Sequence, residues 1–309
     1  MIVAKCPLRI PLAGGSTDLQ DFIDAHGYGA VVSFPANLYT YITLHKNNRG
    51  KYIIDYTKRE EVDRIQDIKN DVAREVLREY TLPPITITFN TDAHSSGSGL
   101  ASSSSFLISL LKAVTTFKNI NMSNFEICKK ALEIERRFNP LTGYQDPYGC
   151  GLGSLKLLEF YKDRDPAVTY LDQSLFEDFD MFLIYTGRKH GSTSILKKTM
   201  KTDRRQLVDI AKTTSEAITK KSLPTLLKSV NIGWEYKKTN SPHVMEDSHI
   251  QEMDTKLISD HNVIAHRLCG AGNRGYFFVM TEKNLYTPFA FEDAIKIGIC
   301  QSGAVATKF

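Results

Sequence analysis

Cysteine is scarce and scattered in this 309-residue chain: Cys6, Cys128, Cys150, Cys269 and Cys300 are odd in number, and no C-x-x-C pair occurs. That pattern argues against a disulfide framework and against the usual zinc spacing, and it suits a reducing cytoplasm. Long apolar runs are missing as well. No stretch approaches the roughly 18 apolar residues that a membrane-crossing helix needs, and the first residues show no signal-peptide-like apolar core. The expectation is a cytoplasmic protein without a membrane partner. Neither charge sign dominates: 39 lysines and arginines against 35 acidic residues leave +4, and no basic block is long enough for a nucleic-acid stripe.

What is present reads as an ordinary globular chain, 42% apolar and 24% charged, long enough for two modest domains or one large one. In the first half, residues 2–12, 36–44, 51–56, 85–89 and 155–161 are strand-like. Residues 19–25, 68–80, 106–117 and 124–137 read as helices, the last with Ser123 as N-cap. A second half begins near Asp163–Pro166, with strands at 181–185, 276–280 and the C-terminus. Its helices fall near 203–221, 223–238, 250–260 and 290–297. The irregular alternation of the two types favours an α+β fold over a doubly wound sheet.

The most informative stretch is Gly97-Ser-Gly-Leu-Ala-Ser-Ser-Ser-Ser105, between a strand and an apolar helix. Small residues there let backbone N–H groups turn inward, and the helix start adds unpaired donors and a partial positive charge, so the segment can cradle a phosphate. A flexible linker is the alternative, but linkers rarely run without a break into a helix that must be buried. It is not a Walker A loop, since no Gly-Lys-Ser/Thr follows.

Other clusters accompany it. In Arg9-Ile-Pro-Leu-Ala-Gly-Gly-Ser-Thr-Asp18 an arginine interrupts an apolar strand, which is costly unless its charge meets an anion. Asp18 could accept hydroxyl donors from a polyol or cap the following helix, and taken alone the capping reading is the better one. Glu135 ends a helix, where a carboxylate asks for a compensating cation, either Arg136 or a metal. Asp146 lies in a Gly/Pro-rich turn, which either holds it rigidly in a cleft or forms an Asx-turn. Gly270-Ala-Gly-Asn-Arg-Gly275 formally fits G-x-G-x-x-G, but a strand follows where the dinucleotide fingerprint needs a helix. It reads instead as a tight turn that lets backbone approach a ligand or another segment. His243, Glu246 and His249 are spaced so that they spread around a helix, and a solvated polar segment is the better reading than a metal site.

Taken in order, four of these clusters resemble the motifs of the GHMP kinases. Arg9–Asp18 resembles the first motif, Gly97–Ser105 the phosphate loop, Glu135 with Asp146 the helix glutamate and catalytic aspartate, and Gly270-Ala-Gly272 the third motif. Within the family the likeness is closest to bacterial D-glycero-D-manno-heptose phosphate kinases, through Pro7–Ile10, Ala13–Asp18, Tyr185-Thr-Gly187, Trp234 and Lys237-Lys238. The resemblance implies a two-domain fold, residues 1–163 and 164–309, with the active site in the cleft between them. It implies ATP phosphates on Gly97, Ser98, Gly99, Leu100, Ala101, Ser102, Ser103 and Ser104, and Mg²⁺ on Ser103 and Glu135. Asp146 would be catalytic with Arg9 beside it. Gly15, Ser16, Thr17, Asp18, Gly270, Ala271 and Gly272 would contact a sugar or sugar phosphate. A heptose 7-phosphate phosphorylated at the anomeric position is the leading expectation, with a galactose- or fucose-type kinase or a non-catalytic sugar sensor as alternatives. A homodimer is left open.

Three departures from the family pattern stand out. Ala101 and Ser16 occupy positions where glycine is common, and Ala101 is free of strain only if its φ is negative. Asn273 and Arg274 replace two glycines of the third motif, and Arg274 offers a charge for a substrate phosphate.

Overall fold

The computed structural model describes residues 1–94, 97–187, 198, 200, 202–284 and 293–309. Helices and two antiparallel-dominated sheets are mixed along the chain, as expected of an α+β protein. The first sheet is built on two long strands, β1 (Ile2–Gly14) and β2 (Tyr28–Lys46), which enclose the short helix α1 (Gln20–His26). Outward from them lie β3 (Tyr52–Asp55), β4 (Arg59–Val62) and β5 (Ile85–Thr91), in the order β1-β2-β5-β3-β4. Further along β2 it also pairs with β6 (Lys156–Tyr161), which carries β7 (Ala167–Tyr170). The C-terminal strand, β12 (Val305–Lys308), returns to pair with β1. The second sheet has the order β11 (Ile295–Ile297), β8 (Phe179–Tyr185), β10 (Tyr276–Glu282), β9 (Val263–Leu268).

Helices α2 (Asp71–Tyr80), α3 (Ser102–Phe117), α4 (Asn124–Phe138) and α5 (Gln145–Gly151) belong with the first sheet. Helices α6 (Arg205–Thr219), α7 (Leu223–Asn240) and α8 (Ser248–Ser259) belong with the second half. Strand β1 joins the two halves: Ile2, Ala4 and Cys6 enter one apolar core, and Leu8, Ile10 and Leu12 enter the next. Helix α3 is pinned beneath it by Ser105, whose hydroxyl donates to Cys6 O at 2.9 Å and pairs with Thr40 Oγ1 at 2.7 Å. All five cysteines are buried and unpaired, in keeping with the absence of a disulfide framework.

The structure departs from the expectations in several places. Residues 145–151 form a helix, not a turn, despite Pro147, Gly149 and Gly151. Its glycines serve close packing, because a Cβ at Gly149 would lie 3.1 Å from Arg9 Cβ. Its C-terminal carbonyls are gathered by the buried Lys156 amine, which donates to Gly149 O at 3.3 Å and Leu152 O at 2.9 Å. Tertiary contacts here override a poor helix propensity. Where a helix is expected near 290–297, residues 295–297 are strand β11, and residues 290–292 lie outside the described set. Strands β4 and β7, four residues each, are too short to stand out by alternation, and strand β9 was not expected either. Among the described residues no helix is long and apolar enough to cross a membrane.

The two halves meet through glycine backbones. Gly99 and Gly270 lie so close that a Cβ at Gly270 would sit 2.5 Å from Gly99 Cα, and Gly275 crowds Ser98 O in the same way. The turn at 270–275 thus buttresses the 97–105 loop, which settles which neighbour its small residues admit. Gly270→Ala should lower the thermal midpoint by several degrees, since its φ of +72° and the facing backbone both oppose a side chain. Gly50→Ala is the control, with a φ of +68° and open space around it, and should cost less. Equal losses in the two variants, by calorimetry, would mean the 99–270 contact carries no packing constraint.

Candidate active site

Arg9 is placed by an irregularity in β1. The β1–β2 register shifts between Pro7 and Arg9 and again between Pro11 and Ala13, and such bulges re-aim side chains. The Arg9 N–H leaves the ladder and donates to Leu100 O at 3.2 Å. Its guanidinium is buried, with the side chain 4% exposed. Nε and Nη2 both donate to Asp146 Oδ1, at 3.1 and 2.7 Å, and Nη1 donates to Gly99 O. Burial opposes the charge, and the Asp146 carboxylate more than offsets it, so the Arg9 pKa is raised. One side chain therefore ties the carboxylate at the start of α5 to the glycine loop at the start of α3.

That loop is shaped by left-handed backbone at Gly97, Gly99 and Ala101, with φ of 66°, 73° and 60°. Ala101 does not meet the condition of a negative φ, and it carries the strain of a Cβ in a region that favours glycine. Ser16 and Asn273, the other non-glycine departures, share this conformation, with φ of 59° in each. No side chain caps the N-terminus of α3, so its first N–H groups keep their donors for a ligand. The serines divide their work. Ser98 and Ser102 hydroxyls bond each other at 2.9 Å, Ser104 donates to Glu135 Oε2 at 2.5 Å, Ser105 holds β1, and Ser103 is exposed in the cleft.

Glu135 is buried, and burial pushes its carboxyl up to about 7, partly offset by the Ser104 and Ser103 hydroxyls. Arg136 is not its partner: that guanidinium donates to Thr142 O at 3.2 Å and lies over the Tyr144 ring. A buried carboxylate beside an exposed hydroxyl, without a basic neighbour, fits a hard cation that takes one or two protein oxygens and completes its shell with water and phosphate. Among the described residues no group of three His, Cys, Asp or Glu side chains is assembled for a metal. Glu246, one of the three spread along 243–249, pairs with Lys198 at 2.7 Å.

Asp18 does not cap α1, whose N-cap is Leu19. Its carboxylate accepts from Gln145 N at 3.0 Å and Gln145 Nε2 at 2.9 Å, in space left by Gly143. Burial, then the nearby Asp146 charge, raise the Asp18 carboxyl to about 6. The loop before it is held by Arg204, whose Nη1 donates to Ser16 O at 2.8 Å.

These groups line one cavity of about 180 Å³. Of the expected site residues, its walls include Arg9, Ser16, Asp18, Gly97, Ser98, Gly99, Ala101–Ser104, Glu135, Asp146 and Gly270–Gly272. Gly15, Thr17 and Leu100 are not in its lining. The Thr17 hydroxyl is spent on Ala30 O at 3.0 Å, and the Leu100 side chain is fully buried in the core. Gln145, Asn139, Thr142 and Arg274 also line it, though only Arg274 drew attention in the sequence. Gln145 was masked by its neighbour Asp146, and only its pairing with Asp18 gives it a role. Lys237, buried behind the third motif, donates to Gly270 O at 2.6 Å; burial, then Arg267, lower its pKa to about 7. A larger hollow of about 570 Å³ beside Met1, Leu44 and Phe117 has no carboxylate in its lining. The arrangement in the first cavity can seat an anionic chain on the loop, hold a cation next to it and present Asp146 to a hydroxyl.

Residues 67–154 match the family model for the GHMP kinases N terminal domain. The chain is 27% identical, over 91% of its length and 89% of the relative's, to a D-glycero-alpha-D-manno-heptose 7-phosphate kinase of Campylobacter jejuni. It is 23% identical to a galactokinase of Thermotoga petrophila, over 79% of this chain and 68% of that one. Its fold matches the crystal structure of a D-glycero-D-manno-heptose 1-phosphate kinase from Bacteroides thetaiotaomicron with a TM-score of 0.77, at 22% identity, covering 100% and 99% of the two chains.

The geometry predicts two stability effects. Ala101→Gly should stabilise the protein by about 1 kcal/mol by relieving left-handed strain; an unchanged or lower thermal midpoint would mean the methyl packs better than it strains. The Asp18 carboxyl sits at about 6 in the fold against an ordinary 3.8, so the folded state holds the extra proton, and stability falls as pH rises through that window. Asp18→Asn should therefore gain stability over the unmodified protein as pH climbs from about 4 to about 6 and keep the gain above it. Melting curves across this range check the sign, and a pH-independent difference would contradict it.

Proposed function

The chain belongs to the GHMP kinase family, and from that premise we propose that it transfers the terminal phosphoryl group of ATP to a hydroxyl of a sugar or sugar phosphate. The acceptor proposed is D-glycero-D-manno-heptose 7-phosphate, phosphorylated at the anomeric carbon. One observation carries the reading: Arg9 joins Asp146 and the Gly99 backbone on the wall of a cavity that also holds Asp18 and Glu135. A glycine loop alone would bind an anion and do nothing to it. Residues 1–163 and 164–309 are proposed as the two domains, with β7 and β12 returning to the first sheet.

In this reading the ATP phosphates lie along Gly97–Ser104 on the free N–H groups of α3. Mg²⁺, held by Ser103 and Glu135, would neutralise phosphate charge. Asp146 receives the hydroxyl proton on Oδ2, since both Arg9 bonds fall on Oδ1. The new bond runs from the acceptor oxygen to phosphorus, and the bond to the bridging oxygen of ADP breaks. Arg9 orients Asp146 through its two bonds to Oδ1 and stabilises negative charge on the moving phosphoryl group. An anomeric hydroxyl is more acidic than an ordinary alcohol, so a weakly basic carboxylate suffices. Asp18, with Gln145 behind it, grips acceptor hydroxyls, a role that the 2.9 Å Asp18–Gln145 bond orients.

ADP release measured over heptose 7-phosphate, galactose, fucose and mevalonate tests the reading. The highest kcat/KM should fall on the heptose phosphate, and NMR should place the new phosphate on the anomeric carbon. Turnover on none of them with ATP would refute it. Asp146→Asn should cost about 10²-fold or more in kcat with acceptor binding kept; near-normal turnover would remove Asp146 from the role. Asp18→Ala should raise the acceptor KM and leave the ATP KM in place, and an unmoved acceptor KM would make Asp18 merely structural.

A further inference from the structure

The third-motif turn carries a charge that the chain does not use. Arg274 is 4% exposed and lines the cavity beside Gly97–Gly99 and Gly270–Gly272, yet neither Nη1 nor Nη2 has a hydrogen-bond partner. The other deeply buried arginines each bond the protein through at least one terminal nitrogen. Arg9 bonds Asp146 and Gly99 O, Arg204 bonds Asp21 and Ser16 O, and Arg267 donates to Leu12 O at 2.7 Å. Burial lowers the Arg274 pKa, with no carboxylate acting to restore it. A buried, unpaired guanidinium destabilises a folded protein, so it is not there to stabilise the fold. Nor does its backbone need it: the positive φ angles of the turn fall on Gly270, Gly272, Asn273 and Gly275, and Gly275 supplies the close approach to Ser98.

We infer that Arg274 is the seat of a phosphate group inside the cleft, a second anion site beside the loop at 97–104. The planar fork of two free N–H edges matches phosphate oxygens, and the ligand would repair the unpaired charge on arrival. Two sources share this chemistry: a phosphate carried by the acceptor, or the terminal phosphates of the nucleotide. The acceptor assignment rests on the sugar-phosphate reading above. The phosphate seat itself does not, because it follows from an unsatisfied cation in a cavity.

The test compares the unmodified protein with Arg274→Met and Arg274→Lys. Without ligand, Arg274→Met should melt no lower than the parent, since it removes an unpaired charge; a large loss would make Arg274 a structural residue and overturn the inference. Inorganic phosphate, titrated by calorimetry, should bind the parent at least about tenfold tighter than Arg274→Met, with Arg274→Lys between them because it keeps the charge and loses the fork. Equal phosphate affinity in all three overturns the inference, whether or not the chain phosphorylates anything. Kinetics then assign the source. A rise of about tenfold or more in KM for heptose 7-phosphate, with the KM for ATP and the turnover of the unphosphorylated heptose unchanged, places the acceptor phosphate at Arg274. A rise confined to ATP places the nucleotide phosphate there.

Discussion

Arg9 keeps a full positive charge where water barely reaches, and the geometry of the cleft follows from what that charge requires. A guanidinium in an apolar strand is tolerated only if its donors are met, and here three of them are met by two elements far apart in sequence, α5 through Asp146 and the 97–105 loop through Gly99. To reach both, β1 must break its ladder, and the register shifts flanking Arg9 do this. Gly149 then lets the backbone of α5 pass against the Arg9 stem, 3.1 Å from where a Cβ would stand. The result is a carboxylate held by one oxygen, with the other not engaged by Arg9.

Close backbone approach is the second constraint, and it is met unevenly. Gly99 and Gly270 press together because neither has a side chain, and this contact lets the second half of the chain shape the loop of the first. Ser16, Ala101 and Asn273 instead adopt the left-handed backbone that glycine takes without penalty. All three lie in the loops around the cleft, so the strain falls where ligands would bind. Carboxylates there are also held away from their ordinary behaviour: burial raises both Asp18 and Glu135, to about 6 and about 7. A site poised in this way is less stable by itself than with its ligands in place.

Much of this was legible in the residues. The glycine–serine loop running into an apolar helix does line the cavity, and the odd arginine in β1 announced an anionic partner, Asp146. Ser123 caps α4 as expected, and the structure adds a full capping box with Glu126. What local sequence hid depends on tertiary packing. Helix α5 reads as a turn because Pro147, Gly149 and Gly151 are poor helix formers, and only packing against Arg9 and Cys128 and the Lys156 amine at its end makes it helical. Asp18 looked like a cap because a helix follows it, yet its partner is Gln145, 127 residues away. Glu135 looked as if Arg136 would serve it, but adjacent residues on a helix point apart, and Arg136 turns to Thr142 and Tyr144.

The cleft therefore combines a loop that can seat phosphates, a buried carboxylate suited to a cation and an oriented aspartate, with one arginine joining the loop to the aspartate. The claim on which the functional account rests is that a triphosphate occupies that loop with its terminal phosphorus facing Asp146. A crystal structure with a non-hydrolysable ATP analogue and Mg²⁺ tests it most directly. The account predicts the phosphate chain on the backbone of residues 97–104, with the last phosphate between Arg9 and Asp146; a nucleotide seated elsewhere, or with its phosphates turned away from Asp146, would contradict it.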